Sequence, residues 1–492
     1  MSRKLVPLFV VALAALGGAD DGFLRLAPTD ADLAVTRRDW YGVYIQGKKV
    51  GWYHEDFGRA GMNADAAYVE TATGTFTLES MGETVEVQVT EIQEFDAKAP
   101  HALRAARSVM TREKGSEVVE VRREGDAYTA TITAGGETRT MAVPFFDYTL
   151  ADALTQELWI KAGRAPGDTA RVRSFDVTEL KPDAHTLTVS AVKEPVVEGV
   201  RTKFYDVALK TSLRGTEATV KLDAAGRTLG GNIGGLFEIR AEPEEQARQI
   251  EKCGDIFVMG TARIDRPIGD PRRVTKLVIE AEGEGLDKIA EAPRQKVARD
   301  AEGGTVTLTL GADAGASDTA TAAEMAEALG ETADFPTKSP RVVALVKQAL
   351  GDARTPAEKV ERLVHFVSGY VEDVSVPGPT SVYEIITTRK GDCTEHAQLF
   401  ATLARAAGIP AREVSGLMYM GDDVKSFGGH AWNEVAIDGH WVPVDPTWDE
   451  TIVDAAHVTL TRNGMGVADT STFGRVRFRV KDVAPRELAA AK

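Results

Sequence analysis

Two regimes of hydrophobic pattern divide this chain. From Trp40 to about Ile239 apolar and polar residues alternate: Val85, Val87 and Val89 with Glu86, Gln88 and Thr90, and Tyr128, Ala130 and Ile132 with threonines. Leu187, Val189 and Ala191 repeat the pattern, as do Ala218, Val220 and Leu222. A period of two belongs to strands with one buried and one wet face, and it predicts antiparallel sheet. Turn signals at Gln46-Gly47, Gly125-Asp126, Gly135-Gly136 and Ala225-Gly226 separate the strands. One helix is predicted within this region, over residues 150–162. Residues 242–251 read as a solvated connector, and 256–263, 273–281 and 305–310 as further strands. The stretch 312–323, rich in Ala, Asp, Gly and Thr, reads as loop or helix start.

From Ser339 the period becomes helical. Val342, Leu345, Val346 and Leu350 mark one helix; Val360, Leu363, Val364 and Val367 mark the next. The second opens with Thr355-Pro356-Ala357-Glu358, an N-cap threonine, a proline at the first helical position and a glutamate that closes a capping box. A short helix follows over 382–388. In GDCTEHAQLFATLARAAGIPAR (391–412) the residues Glu395, Gln398, Thr402 and Arg405 form one narrow polar stripe on an otherwise small and apolar helix, which Gly408-Ile409-Pro410 stops. Such a helix is buried around most of its circumference. The pattern predicts an α+β chain: residues 20–39 a linker, 40–250 a large antiparallel β-rich domain, 251–335 a stretch of connecting strands, 336–465 a helix-and-sheet domain, and 466–492 a C-terminal strand and tail.

Composition changes this picture little. The 492 residues are 43% hydrophobic and 27% charged, as in an ordinary globular protein. The net charge of −16 argues against nucleic acid or an anionic membrane surface as partner. The first residues matter more. Arg3 and Lys4 precede an apolar run over 5–16, and Gly17 and Ala19 supply the small residues of a cleavage site. This reads as a signal peptide over 1–19, too short to span a bilayer comfortably. The expectation is an exported, periplasmic protein without stable membrane insertion; an uncleaved N-terminal anchor or secretion is the alternative. The two cysteines, Cys253 and Cys393, form no disulfide framework for so long a chain, although an oxidising compartment permits them to pair.

The candidate chemistry gathers around Cys393. After the turn Gly391-Asp392 it falls in the first turn of the stripe-bearing helix, where free N–H groups and the macrodipole favour a thiolate, so a lowered thiol pKa is expected. GGHAWNEVAI (428–437) reads as a strand carrying His430, and WVPVDPTW (441–448), beyond the turn Asp438-Gly439, as its hairpin partner carrying Asp445. Thiol, imidazole and carboxylate are the nucleophile, base and orienter of acyl transfer. The other histidines carry less. His396 is followed by no further Cys or His cluster, so no metal is expected, while His440 and His457 read as surface or packing residues. Trp432 and Trp448 read as packing around the His–Asp pair.

These three motifs, in this order over about 339–460, resemble the transglutaminase-like superfamily, the bacterial branch of the papain-like cysteine enzymes. The segments over 256–333 and WYGVYIQGKKVGWY (40–53) are more loosely similar to upstream regions of exported bacterial proteins of this kind. The resemblance implies a papain-like core, a central helix packed on antiparallel sheet, with Cys393 as nucleophile, His430 as base then acid, and Asp445 orienting His430. It implies a protein or peptide amide as substrate, a thioester intermediate, and no cofactor. Thr394 stands where animal transglutaminases carry tryptophan, and no calcium-loop spacing is present. Resolution of the thioester by water or by an amine therefore both stay open. The rival expectation is a non-catalytic exported binding or assembly protein that uses the fold as a platform.

Overall fold

A computed structural model describes residues 23–60, 67–80, 83–112, 115–197, 200–211, 217–234, 237–252, 261–283, 286, 289–300, 304–311, 318–374, 380–462 and 476–485. The apolar segment read as a signal peptide, Cys253 and residues 312–317 of the 312–323 stretch lie outside the described residues. The rest falls into two compact units, the first within residues 23–252 and the second from residue 261 onward.

The first unit is built on an antiparallel sheet of 14 strands. Arg37–Ile45 pairs with Lys48–Arg59, and from there the strands follow chain order to Glu137–Val143. On its other edge Arg37–Ile45 pairs with Phe237–Ala241, from which the order runs back to Thr169–Asp176. Helix α1 (Leu150–Lys161) links the two halves and opens with a Thr149–Asp152 capping box. The predicted alternation is real: Val85, Val87, Val89, Tyr128, Ala130 and Ile132 are buried while the residues between them are not fully so. The interior is less apolar than the pattern suggests. Glu55, Glu70, Glu91, Gln93 and Glu117 are also buried. Burial, with Arg37 opposing it, pushes both Glu55 and Glu70 up to about 8.

The second unit holds a nine-stranded sheet. Its strands are β1 (Ala262–Ile264), β2 (Val274–Glu282), β3 (Gln295–Arg299), β4 (Thr305–Gly311), β5 (Ala411–Tyr419), β6 (Ser426–Ile437), β7 (His440–Val444), β8 (His457–Arg462) and β9 (Arg477–Pro485). The order is β3-β4-β2-β9-β1-β6-β5-β8, with β7 paired to β6. The stretch expected as connecting strands thus supplies β1 to β4 of the sheet that carries the candidate site. Among the described residues five α-helices accompany the sheet: α2 (Ala322–Glu327), α3 (Pro340–Leu350), α4 (Pro356–Tyr370), α5 (Val382–Thr388) and α6 (Cys393–Ala406). Val342, Val360, Leu363, Val364 and Val367 of α3 and α4 pack with Leu399, Phe400 and Leu403 of α6 and with Val435 and Val444 of the sheet. A second core joins Leu277, Ile279, Leu308, Leu417, Phe427, Val458 and Phe478.

Helix α6 is buried beyond its apolar faces, because its polar stripe is buried too. Each stripe residue finds a partner. Glu395 accepts the Asp392 amide, Gln398 Nε2 donates to Asp334 O, and Thr402 Oγ1 donates to Gln398 O. Arg405 donates to Ala411 O and Gly330 O while its guanidinium lies 3.9 Å from the centre of the Phe335 ring. Buried polar groups are tolerated only when satisfied in this way.

Candidate functional site

The start of α6 is built to hold Cys393 still. Asp392 caps the helix by accepting the Thr394 amide at 2.8 Å, and Glu395 closes the box by accepting the Asp392 amide at 2.9 Å. Gly391 permits that closure, since a Cβ there would lie 2.2 Å from Glu395 Cβ. One turn on, His396 bonds with one ring nitrogen to Asp392 O (2.8 Å) and with the other to Val371 O (3.2 Å), which ties the helix start to the end of α4. His396 is a structural histidine. Cys393 itself is a free, buried thiol packed against Ala397 and against Ala431 of β6.

Ala431 is the residue after His430, so helix and strand meet where two of the expected residues stand. Asn433, two residues further, reinforces the contact by donating to Ala397 O at 3.0 Å. His430 Nε2 donates to Asp445 Oδ2 at 2.8 Å, across the hairpin of β6 and β7. Both groups are buried, Asp445 completely. The Thr447 amide holds the other oxygen, Oδ1, at 2.8 Å. Among the described residues no hydrogen bond joins Cys393 to His430, whose Nδ1 has no hydrogen-bond partner; catalytic contacts often tighten only around substrate. Opposite His430 stands Gly416 of β5, where a Cβ would meet Val458 O at 2.0 Å and Trp432 Cη2 at 2.5 Å. The Trp432 ring fills that space and lies 6.0 Å from the His430 ring.

The electrostatics correct one expectation. Burial pushes the Cys393 thiol well above its ordinary range; Asp392, Glu395 and Asp445 add to this, and the Ala431 amide opposes it. A helix terminus contributes about 0.3–1 kcal/mol at a surface and up to about 2 when partly buried. Full burial withholds solvation from the whole thiolate charge, a larger effect than one helix terminus supplies. Burial wins, and the resting group is a neutral thiol. Asp445 goes the other way. Although burial would raise it, the charge and hydrogen bond of His430, then those of His457, hold its carboxyl well below the usual range.

His457 is the residue that the pattern concealed. It is buried: Nε2 donates to Asp445 Oδ2 at 3.3 Å and Nδ1 to Asp454 Oδ1 at 2.9 Å. The two hydrogen bonds overcome the opposing effect of burial and raise it to about 10. The sequence offered one signal, the three-residue spacing of Asp454 and His457, which means little without knowing that the segment folds back on Asp445. Trp448 also departs from expectation: it is 44% exposed and carries the Arg272 guanidinium 4.9 Å above its ring. His440, exposed and bonded to Asp318, is the surface residue expected. Donor atoms of His430, Asp445 and His457 lie within 4.8 Å of one another, as do those of Glu450, Asp454 and His457. Hydrogen bonds between these groups account for that clustering.

A capped central helix presenting a thiol to a strand with a histidine, whose hairpin partner supplies a carboxylate, defines the class of the cysteine-enzyme-like cores. The family model described as Transglutaminase-like superfamily matches residues 343–446, so this part of the second unit is a transglutaminase-like core. Kyphoscoliosis peptidase of Homo sapiens is 32% identical over 124 residues, which are 22% of this chain and 18% of that protein. The chain thus spans about a fifth or less of the curated relatives it matches. An uncharacterized protein of Haemophilus influenzae is 45% identical over 73 residues, 14% of this chain and 20% of the relative. Among solved structures, a putative cysteine protease from Cytophaga hutchinsonii shares 18% identity at a TM-score of 0.29, covering 44% of this chain and 90% of that one. A beta-barrel-like protein of Brucella abortus shares 12% identity at 0.31, covering 42% of this chain and 96% of that one. At such scores neither structure bears on activity.

Proposed function

We propose that the chain is an exported, cysteine-dependent amide hydrolase or acyltransferase acting on protein or peptide substrates. The observation that carries this reading is the buried His430–Asp445 pair, bonded at 2.8 Å, next to the residue that packs on Cys393. In this reading His430 takes the Cys393 proton as sulfur attacks the amide carbonyl. The backbone N–H of Cys393, in the first turn of α6, stabilises the oxyanion. The imidazolium then protonates the departing amine, a thioester remains, and water or a second amine resolves it with His430 again as base. Asp445 orients the ring and balances its charge. The name peptidase borne by the human relative supports a peptide amide as substrate class.

Export rests on the N-terminal pattern alone. Among the described residues no helix is long and apolar enough to cross a membrane. The test is to incubate the purified protein with a peptide library and a primary amine and to follow products by mass spectrometry. Cleaved peptides indicate hydrolysis, and amine adducts on glutamine indicate transfer. Either product should vanish with Cys393→Ala. If wild type and Cys393→Ala yield the same products, the core is a binding platform.

A further inference from the structure

Behind the His430–Asp445 pair lies a second buried imidazole that the proposed chemistry does not use. His457 begins β8, and the loop between β7 and β8 brings it back onto Asp445. That loop is itself tied: Asp445 and Glu450 exchange two backbone hydrogen bonds of 2.8 Å, Asp454 N donates to Glu450 Oε2, and Ala456 N donates to Asp454 Oδ1. Arg272, just before β2, donates to Asp454 Oδ2 and approaches Glu450 Oε1, each at 2.6 Å. A continuous polar chain results: His430, Asp445, His457, Asp454, Arg272.

The chemistry of the chain follows from its members. Ionised carboxylates only accept, so a ring with a carboxylate oxygen on each nitrogen must donate twice, which makes it an imidazolium. Charge-assisted bonds of this kind are about twice as strong as neutral ones. Asp445 Oδ2 receives both imidazoles while the Thr447 amide fixes Oδ1. The carboxylate is therefore held at both oxygens. The groups that face His457 are Asp445, Glu450 and Asp454 from the loop, with Arg272 behind them. From β6 come His430, its ring centre 5.7 Å away, and the uncharged Trp432, at 5.1 Å edge-on. Cys393 feels the same Asp445 charge.

We propose that His457 is a positioning residue of the site. It grips the oxygen of Asp445 that His430 uses, anchors it through Asp454 to Arg272, and places one fixed positive charge behind the pair. This role rests on the proposed cysteine chemistry, and it makes a distinct claim. Taking that charge away leaves Asp445 less neutralised, so the thiolate of Cys393 becomes harder to form.

The experiment is alkylation of the full-length protein by iodoacetamide from pH 6 to 10, with Cys393 modification followed by peptide mass spectrometry. In His457→Gln the rising limb of the rate profile should move about one pH unit upward, roughly a tenfold slower reaction at pH 8. Asp454→Asn removes the second carboxylate that keeps the ring charged; as the ring then gives up part of its proton population by pH 8, the limb should move the same way by less. Imidazole 15N NMR of the unmodified protein should find both His457 nitrogens protonated at pH 8, a measurement that needs no variant. A neutral His457 at that pH, or a folded variant whose profile superimposes on that of wild type, would overturn the proposal. Alkylation requires no natural substrate. A displaced profile without amide release would sink the enzymatic reading alone, whereas amide release with an unmoved profile would sink only the role of His457.

Discussion

In the proposed chemistry a thiol that is neutral at rest has to be activated when substrate arrives, and this sets what single residues should do. Cys393→Ala removes the proposed covalent route, and alanine suits a first turn next to Ala397 and Ala431. Amide release should fall to background with an unchanged melting transition. His430→Ala should be nearly as severe if the ring acts as proposed, since the same imidazole would accept the thiol proton and return it to the leaving amine. Asp445→Ala should retain more activity per folded molecule, yet it strands the buried His430 and His457 bonds, so its stability should drop by about 3–5 kcal/mol. Denaturant titration beside the activity assay separates the two losses. The raised thiol adds a sign: alkylation of wild-type Cys393 should be slow at neutral pH and accelerate steadily toward pH 10. A rate already at its plateau at pH 6 would indicate a resting thiolate and contradict the burial argument.

The elements decide whether these residues meet. Helix α6 and strand β6 come from separate stretches, and Asn433 joins them by donating to Ala397 O. In Asn433→Ala a buried carbonyl in the helix loses that donor, which costs about 1–3 kcal/mol. The midpoint of urea unfolding should fall accordingly. Amide release should fall further than stability does, because the helix that carries Cys393 loses its tie to the strand of His430. A loss of activity no greater than the loss of folded protein would mean that the bond serves stability only. Close approach matters on the other side of the strand, where Gly416 leaves room for Trp432, and the strand pairing would have to open to admit a side chain there.

At the scale of the whole molecule the first unit makes its own prediction. Glu55 and Glu70 ionise near 8 when folded, against an ordinary value of 4.5, so between these limits the folded state holds protons that the unfolded chain has released. Stability contributed by the neutral carboxyls is complete below about 4.5 and is lost as pH rises toward 8. A loss of even about 2 kcal/mol lowers the transition by roughly 4–8 °C for a unit of this size. Calorimetry at pH 5, 6, 7 and 8 should show that decline, and Glu55→Gln with Glu70→Gln should flatten it. A transition in wild type that does not move across this range would show that the two carboxyls ionise normally.

Much of this architecture was legible in the order of residues, and the reason is that short-range physics governs it. Alternation at Val85 to Val89, the capping box at Thr355, and the stop at Gly408 act within a few residues, where pattern and structure are the same thing. The hairpin that pairs His430 with Asp445 was legible for the same reason, since one tight turn at Asp438-Gly439 sets its register. What depends on distant segments was not. The burial that raises Cys393, the covering of the α6 stripe by residues 330–335, and the carboxylates within the first sheet arise only when the chain closes on itself. His457 is the clearest case. Its neighbours along the chain mark it as ordinary, and only the return of the loop onto Asp445 places a carboxylate on each of its nitrogens.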